Sequence, residues 1–198
     1  LFETHLNGVR VGKDYLTPGW TDYRKRIHFL TYDVTNMLKA GENLADAMVG
    51  NGWFAGRLGW EKQTNFYGKR TALLYQLEVV YQDGSSDIFA SDKSWQYTPG
   101  PVISSDIYDG ECFDSRWSAD SWKNVAVLPP TKTLLLPQPN LPVRKQETLT
   151  ALKMTEPKPG VYIFDLGQNM VGWARIKIHD CVKNDVITFR YGEMTYDD

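Results

Sequence analysis

Apolar and polar residues alternate over short runs along much of the chain, as they do in a β-strand that buries one face. Glycine-based turns separate several of these runs, and segments with a helical period are scarce. This pattern predicts an all-β fold, a β-sandwich or a β-barrel built from short strands. The strands are predicted within residues 71–81 and at 87–90, 161–165, 174–178 and 186–191.

Two dipeptides predict tight hairpin turns. Asn7-Gly8 follows a short apolar run, and Asp83-Gly84 lies between two of the predicted strands. Asn-Gly and Asp-Gly favour such turns because these residues tolerate a positive φ. The best helical segment is residues 35–40, where Thr35 can cap the first turn and Gly41 can end it.

A proline-rich segment divides the chain. Five prolines fall between residues 129 and 142, and proline removes donors from a sheet and stiffens the chain. We predict an extended linker at 129–147, in which Leu134-Leu135-Leu136 can pair at a sheet edge. The linker separates an N-terminal β-sandwich at 1–128 from the opening strands of a second β-sandwich at 148–198.

Both predicted domains are expected to be incomplete. The chain begins at Leu1 inside what should already be a strand, so the first strands of the first domain are expected to be missing. The second domain has only about 50 residues, which is small for an autonomous sandwich. We expect it not to form a core of its own but to lean on the first sandwich or to be completed by another chain. Met170 and Trp173 are the side chains expected to fill its interior.

The composition excludes several classes of function. Of the 198 residues 42% are hydrophobic and 23% charged, with a formal net charge of −2, so neither nucleic acid nor an anionic membrane is favoured as a partner. No stretch approaches the ~18 apolar residues that span a bilayer. Cys112 and Cys181 are far apart and are predicted to be buried free thiols rather than a disulfide or a zinc site. The compartment stays open, because the chain starts at Leu1 and is expected to be an excised piece.

An acidic cluster is the first candidate site. Asp106, Asp109 and Glu111 surround Tyr108, and Asp114 and Arg116 follow. The three carboxylates can bind a hard cation such as Ca²⁺, and a carboxylate pair can also perform acid–base glycoside chemistry. The structural alternative is a turn whose acids accept backbone N–H groups and pair with Arg116.

A glycine-rich and aromatic cluster, residues 50–60, is the second candidate site. Its glycines allow a close backbone approach, and Asn51, Trp53 and Trp60 can bind a sugar ring, the tryptophans by stacking. The spacing is not a dinucleotide fingerprint, and no strand–turn–helix unit is expected around it. The structural alternative is a glycine corner with tryptophans in the core. A further run, residues 18–26, pairs aromatic residues with a basic stretch that we interpret as solvated.

The order of several motifs resembles the bacterial α-L-rhamnosidases, the inverting glycoside hydrolases that remove terminal rhamnose. The resemblance covers nearly the whole chain. The first group resembles the family's N-terminal β-sandwich: LNGVRVG at 6–12, PGWTDYRKR at 18–26, YDVT at 32–35, GEN at 41–43, GNGW at 50–53 and SDIYDGE at 105–111. The second group resembles the start of its next β-sandwich: FDLGQNMVGW at 164–173 and RYGE at 190–193.

The resemblance implies a jelly-roll or galactose-binding-like β-sandwich followed by strands of a second, truncated one. In this family the catalytic acid and base lie on a later (α/α)₆ barrel, so this chain is expected to contain no catalytic residue and to be inactive alone. It is then an accessory region that braces the barrel, with the rest of the parent enzyme as its partner. Some members carry a calcium-dependent, rhamnose-binding sandwich here. The alternative is therefore a carbohydrate-binding module for a rhamnose-containing glycan, without an obligatory cofactor but with Ca²⁺ as a candidate. Its residues would be Asn51, Trp53, Trp60, Asp106, Tyr108, Asp109 and Glu111.

Overall fold

The computed structural model describes residues 1–60 and 63–194. The chain divides into two compact units, Leu1–Lys145 (unit 1) and Gln146–Asp198 (unit 2). Nearly all of the regular structure is β, which agrees with the predicted all-β class. The strands are β1 (Phe2–Leu6), β2 (Val9–Arg10), β3 (Asp14–Tyr15), β4 (Arg26–Phe29), β5 (Ala45–Val49), β6 (Gln76–Val80), β7 (Ser86–Ala90), β8 (Gln96–Tyr97), β9 (Val102–Asp106), β10 (Gly110–Phe113), β11 (Lys123–Asn124), β12 (Leu134–Pro137), β13 (Val143–Arg144), β14 (Lys153–Lys158) and β15 (Val161–Asp165).

The one three-stranded sheet among the described residues is β2-β1-β5 of unit 1. β1 lies in the middle and pairs antiparallel with both neighbours, so its inward residue Leu6 is only 1% exposed. The turn from β1 to β2 is the predicted Asn7-Gly8 hairpin, whose two residues have φ of 55° and 77°. These positive φ values are the ones that Asn-Gly accepts in a two-residue turn.

The proline-rich segment belongs to unit 1 and contributes two strands to it. β12 pairs in parallel with β4, and β13 pairs antiparallel with β3. Gln138 lies between these strands, where its backbone N–H donates to the Phe29 carbonyl and its Oε1 accepts from the Gly19 N–H. The segment is extended as predicted, but these bonds attach it to the first strands of the chain.

Helical structure is limited to two short turns among the described residues. Residues Thr35–Met37 form a 3₁₀ turn that is shorter than the predicted segment. Thr35 lies inside the turn and does not cap it; its N–H and Oγ1 both donate to the Asp33 carboxylate, and Val34 is the N-cap residue. The second turn, α1 (Gly52–Ala55), follows β5 closely. The prediction of no strand–turn–helix unit around residues 50–60 was therefore wrong, because the permissive glycines allow the chain to coil for one turn.

Some strands of unit 1 expose residues on both faces of the hairpin to which they belong. In the β6–β7 hairpin, closed by the predicted Asp83-Gly84 turn, Val80, Ile88 and Phe89 are all more than half exposed. The whole chain exposes 16,911 Å², whereas a compact protein of its mass would expose about 9,500 Å². Only Leu6 and Ala55 are buried among the described hydrophobic residues, so much of the exposed surface is apolar.

Unit 2 contains one hairpin, β14–β15, and no described residue from 146 to 194 is buried. The strands predicted at 174–178 and 186–191 do not form, because no neighbouring strand offers them hydrogen bonds. Met170 and Trp173 are 43% and 58% exposed, so the prediction that they plug a core was wrong.

Two further sequence-based expectations can be compared with the structure. Cys112 and Cys181 are both exposed free thiols, so their predicted burial was wrong. Cys112 lies on β10, where none of the residues is buried, and Cys181 lies in a segment without regular structure. Within residues 1–60 and 63–194, no helix has the length and apolar content needed to cross a membrane.

Candidate functional site

The two candidate clusters meet in the structure through Arg57, a residue that sequence reasoning missed. The backbone N–H of Arg57 donates to Asp106 Oδ2 at 2.7 Å, and its guanidinium Nη2 lies 2.9 Å from Asp109 Oδ1. The guanidinium carbon is also 5.0 Å from the centre of the Tyr108 ring, within cation–π range. We call these four residues the Arg57 junction. The signal in the sequence was that Arg57 is the only cation in the glycine-rich run.

Asp106 organises the turn between β9 and β10. Its Oδ1 accepts from the backbone N–H groups of Tyr108 at 2.9 Å and Asp109 at 3.3 Å. Burial alone would raise the pKa of Asp106, but the three backbone donors and the Arg57 charge outweigh it and lower that pKa below its usual value. Asp106 is therefore ionised at neutral pH and shapes the turn by accepting backbone N–H groups. This is the role that the structural alternative gave to the acidic cluster.

Gly56 allows the junction to close. A Cβ at this position would lie 2.3 Å from the Gly52 carbonyl oxygen and 2.9 Å from Asp106 Oδ2. Only a residue without a side chain lets the end of α1 come this close to the carboxylate. The glycine is needed here for space and not for its φ, which is −72°.

The other predicted site residues make no described contact with the junction. Trp60 is fully exposed at 100%, whereas Trp53 is half-buried in α1 and Asn51 precedes that turn. Glu111 is exposed on β10, opposite Ser105 of β9. Tyr108 is 55% exposed beside the guanidinium. Of the aromatic residues in the two clusters, Tyr108 at the junction and Trp60 outside it are more than half exposed.

The carboxylates proposed as metal ligands are engaged in other contacts. Asp106 uses both oxygens for backbone N–H groups, and Asp109 pairs with Arg57. Within the described part of the chain, no group of three or more His, Cys, Asp or Glu side chains is placed to hold a metal ion. Binding of Ca²⁺ by Asp106, Asp109 and Glu111 stays a hypothesis.

The Asp114–Arg116 pair has the role that the structural alternative gave it. Arg116 donates through Nε and Nη2 to the two carboxylate oxygens of Asp114 at 2.8 and 2.6 Å. The side-chain bond from Arg116 lowers the pKa of Asp114 to about 2. The Arg116 side chain is 88% exposed and that of Asp114 is 30% exposed, so the pair orders the turn locally at the surface.

An aromatic cluster lies at a second place in unit 1, and the sequence gave no indication of it. Tyr23, Phe54, Phe66 and Tyr67 pack with ring-centre distances between 4.8 and 6.4 Å. Arg24 lies over Phe66 at 4.4 Å, so one of the basic residues predicted to be solvated is stacked instead. Edge-to-face pairs of this kind stabilise a fold beyond the area that they bury.

Two family models match the chain. Residues 1–147 match the α-L-rhamnosidase N-terminal domain, and residues 155–198 match the bacterial α-L-rhamnosidase concanavalin-like domain. Together with the all-β structure, these matches define the class as the β-sandwich region of a glycosidase. The chain belongs to the α-L-rhamnosidase family and corresponds to its N-terminal region.

Individual relatives agree with the family models. An α-L-rhamnosidase of Streptomyces avermitilis is 44% identical over 189 residues, which is 90% of this chain and 18% of the relative. One of Formosa agariphila is 37% identical over 205 residues, 98% of this chain and 22% of the relative. The chain therefore spans about a fifth of the length of these relatives.

Solved structures show the same fold. The native α-L-rhamnosidase of Aspergillus terreus superimposes with a TM-score of 0.80 at 38% identity, over 87% of this chain and 21% of that one. The Streptomyces avermitilis enzyme, solved with L-rhamnose, gives a TM-score of 0.76 at 44% identity, over 86% of this chain and 18% of that one. The predicted β-sandwich class is thereby confirmed.

Proposed function

We propose that this chain is a non-catalytic accessory region of an enzyme that hydrolyses terminal α-L-rhamnosyl linkages, and that it braces the enzyme's catalytic (α/α)₆ barrel. The observation that carries the proposal is the exposed apolar surface. Among the described hydrophobic residues only Leu6 and Ala55 are buried, whereas large side chains such as Ile88 and Phe89 are more than half exposed. Large exposed apolar patches mark surfaces that bind another protein surface.

The partner is the remaining part of the same enzyme. The relatives are about five times longer than this chain, so most of an α-L-rhamnosidase consists of other domains. The open hairpins lie on strands of both units, for example Ile88 of β7 at 62% exposure and Met154 of β14 at 59%. Surfaces of neighbouring domains can cover these strands, as in an obligate interface.

The role as a brace can be tested by mixing two proteins. The chain alone should not hydrolyse an aryl α-L-rhamnoside, and adding it to the separately produced remainder of the enzyme should raise the melting temperature of that remainder. The variant Ile88→Lys should abolish the increase, because a charge would replace an apolar contact. Ser86→Ala, on the same face of the same strand, adds no charge and is the matched control. Turnover by the chain alone, lost when Asp106 or Glu111 is changed, would overturn the proposal.

The second candidate function is a carbohydrate-binding module, which the exposed aromatic faces of Trp60 and Tyr108 support. In this function Trp53 and Trp60 stack on a sugar ring, while Asn51 and the acids Asp106, Asp109 and Glu111 bind hydroxyls or Ca²⁺. It ranks second because Asp106 and Asp109 already have partners. Calorimetry with L-rhamnose, with and without Ca²⁺, separates the two functions. No heat at millimolar sugar, which corresponds to about −4 kcal/mol, would remove the second one.

A further inference from the structure

A cleft beside β4 and β12 of unit 1 has no part in the functions proposed above. Its volume is about 460 Å³, within the range of small-molecule sites. Leu136 contributes an apolar patch to its wall, and the polar or aromatic side chains there are Trp20, Thr21, Arg26, His28 and Asn140. None of these residues belongs to the Arg57 junction. The unpaired groups of His28 and Arg26 and the exposed ring of Trp20 indicate which kind of ligand would fit.

His28 lacks a hydrogen-bond partner. The residue is only 6% exposed, and its Nδ1 is a buried atom for which the described residues provide no partner. A buried ring nitrogen in this state has lost its bonds to water without replacing them. The imidazole also forms part of the cleft wall, so the cleft is lined by a histidine whose Nδ1 is shielded from solvent and unpaired.

Arg26 lacks an anion. Its Nε donates to Thr21 Oγ1 at 2.7 Å, which fixes the guanidinium, but no described carboxylate forms an ion pair with it. The nearest acid in sequence, Asp22, is 3.9 Å from the ammonium of Lys25 instead. The mouth of the cleft therefore carries uncompensated positive charge. A guanidinium held in this way prefers a carboxylate, which it can bind through two parallel bonds.

Trp20 supplies a flat surface that is held in place. Its indole is 52% exposed, and its Nε1 donates to the Tyr67 hydroxyl at 3.3 Å. Tyr67 in turn packs against Tyr23 at a ring-centre distance of 5.0 Å, so the indole is attached to the aromatic cluster. A rigid, half-exposed aromatic face next to hydrogen-bonding groups suits a ring that has an apolar face and hydroxyls at its edge.

We propose that this cleft binds a uronic acid, a sugar ring that carries a carboxylate. The carboxylate lies on the Arg26 guanidinium, one face of the ring on Trp20, and the hydroxyls near His28 and the Asn140 amide. A neutral sugar would leave Arg26 without its anion. An acidic peptide would satisfy Arg26 but would bring no hydroxylated ring to Trp20 and His28.

The test is a calorimetric titration of the 198-residue chain with methyl β-D-glucuronide, with methyl β-D-glucoside and with N-acetyl-glutamate amide. The glucuronide should bind with a Kd in the millimolar range, and the two other compounds about tenfold more weakly or not at all. Equal binding of the glucoside or of the glutamate derivative would overturn the proposal, as would the absence of glucuronide binding at tens of millimolar.

Substitutions of residues in the cleft wall test whether the glucuronide binds in this cleft. Arg26→Gln should weaken glucuronide binding by about tenfold or more, and Lys25→Gln, one residue away and exposed, should change it by less than about twofold. Trp20→Ala should also weaken binding, and it leaves the Arg26–Thr21 bond untouched. Circular dichroism of each variant shows that the fold persists. A folded Arg26→Gln protein that binds as well as the parent chain would contradict the proposal.

Discussion

Unit 1 and unit 2 contain strands with similar alternation of apolar and polar residues, yet only unit 1 has buried side chains among the described residues. In unit 1, β1 has a strand on each side, and Thr4 and Leu6 are buried there. In unit 2, β14 and β15 have only each other, and every residue of β15 is exposed to solvent. Alternation shows where a strand can form, whereas the number of neighbouring strands decides whether it has a core.

The largest expected effect is the difference between an apolar truncation in each unit. Leu6→Ala should lower the free energy of unfolding by about 2–5 kcal/mol, because it leaves a cavity under β1. Ile163→Ala, on β15 with 37% of the residue exposed, should cost far less. Urea denaturation of both variants measures the two values. Equal losses would mean that the two units are packed alike and would break the comparison.

A second effect concerns the attachment of the proline-rich segment to unit 1. Asp14 is buried, and its Oδ1 accepts from Arg144 Nε of β13 at 2.6 Å while its Oδ2 accepts from the Tyr32 hydroxyl at 3.0 Å. Asp14→Ala should lower the free energy of unfolding by about 1.5–3 kcal/mol, since it removes hydrogen bonds to a charged group. Asp46→Ala, whose side chain is 50% exposed, is the control and should have little effect. If the two variants have the same free energy of unfolding, β13 is not held by this contact.

The sequence predicted the hairpin turns better than it predicted the strands around them. Asn7-Gly8 and Asp83-Gly84 form as predicted because the preference lies in two adjacent residues. The strands at 174–178 and 186–191 failed because a strand needs a partner, which no local pattern reveals. Arg57 was missed for the same reason, since its contacts reach Asp106 and Asp109 across the fold.

A third effect lies at the Arg57 junction. Gly56→Ala should lower the free energy of unfolding by about 1–3 kcal/mol, because the new Cβ overlaps the Gly52 carbonyl oxygen and approaches Asp106 Oδ2. Gly100→Ala is the control, because a Cβ there would meet no atom within 4 Å. Thermal melts compare the two. A Gly56→Ala protein as stable as the control would show that α1 and the β9–β10 turn are not closely packed.

The smallest expected effect concerns the ionisation of Tyr23 and Tyr32 at alkaline pH. Burial, with smaller contributions from Tyr67 for Tyr23 and from Asp14 for Tyr32, raises the pKa of each of these two phenols to about 12. Because the folded pKa lies above the unfolded value of about 10, their contribution to stability is complete below pH ~10 and is lost as the pH rises to about 12. In the folded chain, tyrosinate absorbance should show that some of the tyrosines ionise only near pH 12, and this high-pH step should be absent in urea. A single step near pH 10 in the folded chain would contradict the burial of these rings.

If the open hairpins are surfaces for the rest of an α-L-rhamnosidase, their backbone amides should be protected in the whole enzyme. Amide hydrogen exchange, measured on the chain alone and within the whole enzyme, reports that protection. We expect exchange in β6, β7, β14 and β15 to slow by about tenfold or more in the whole enzyme, while β1, already between two strands, changes little. Hairpins that exchange equally fast in both states would contradict this expectation.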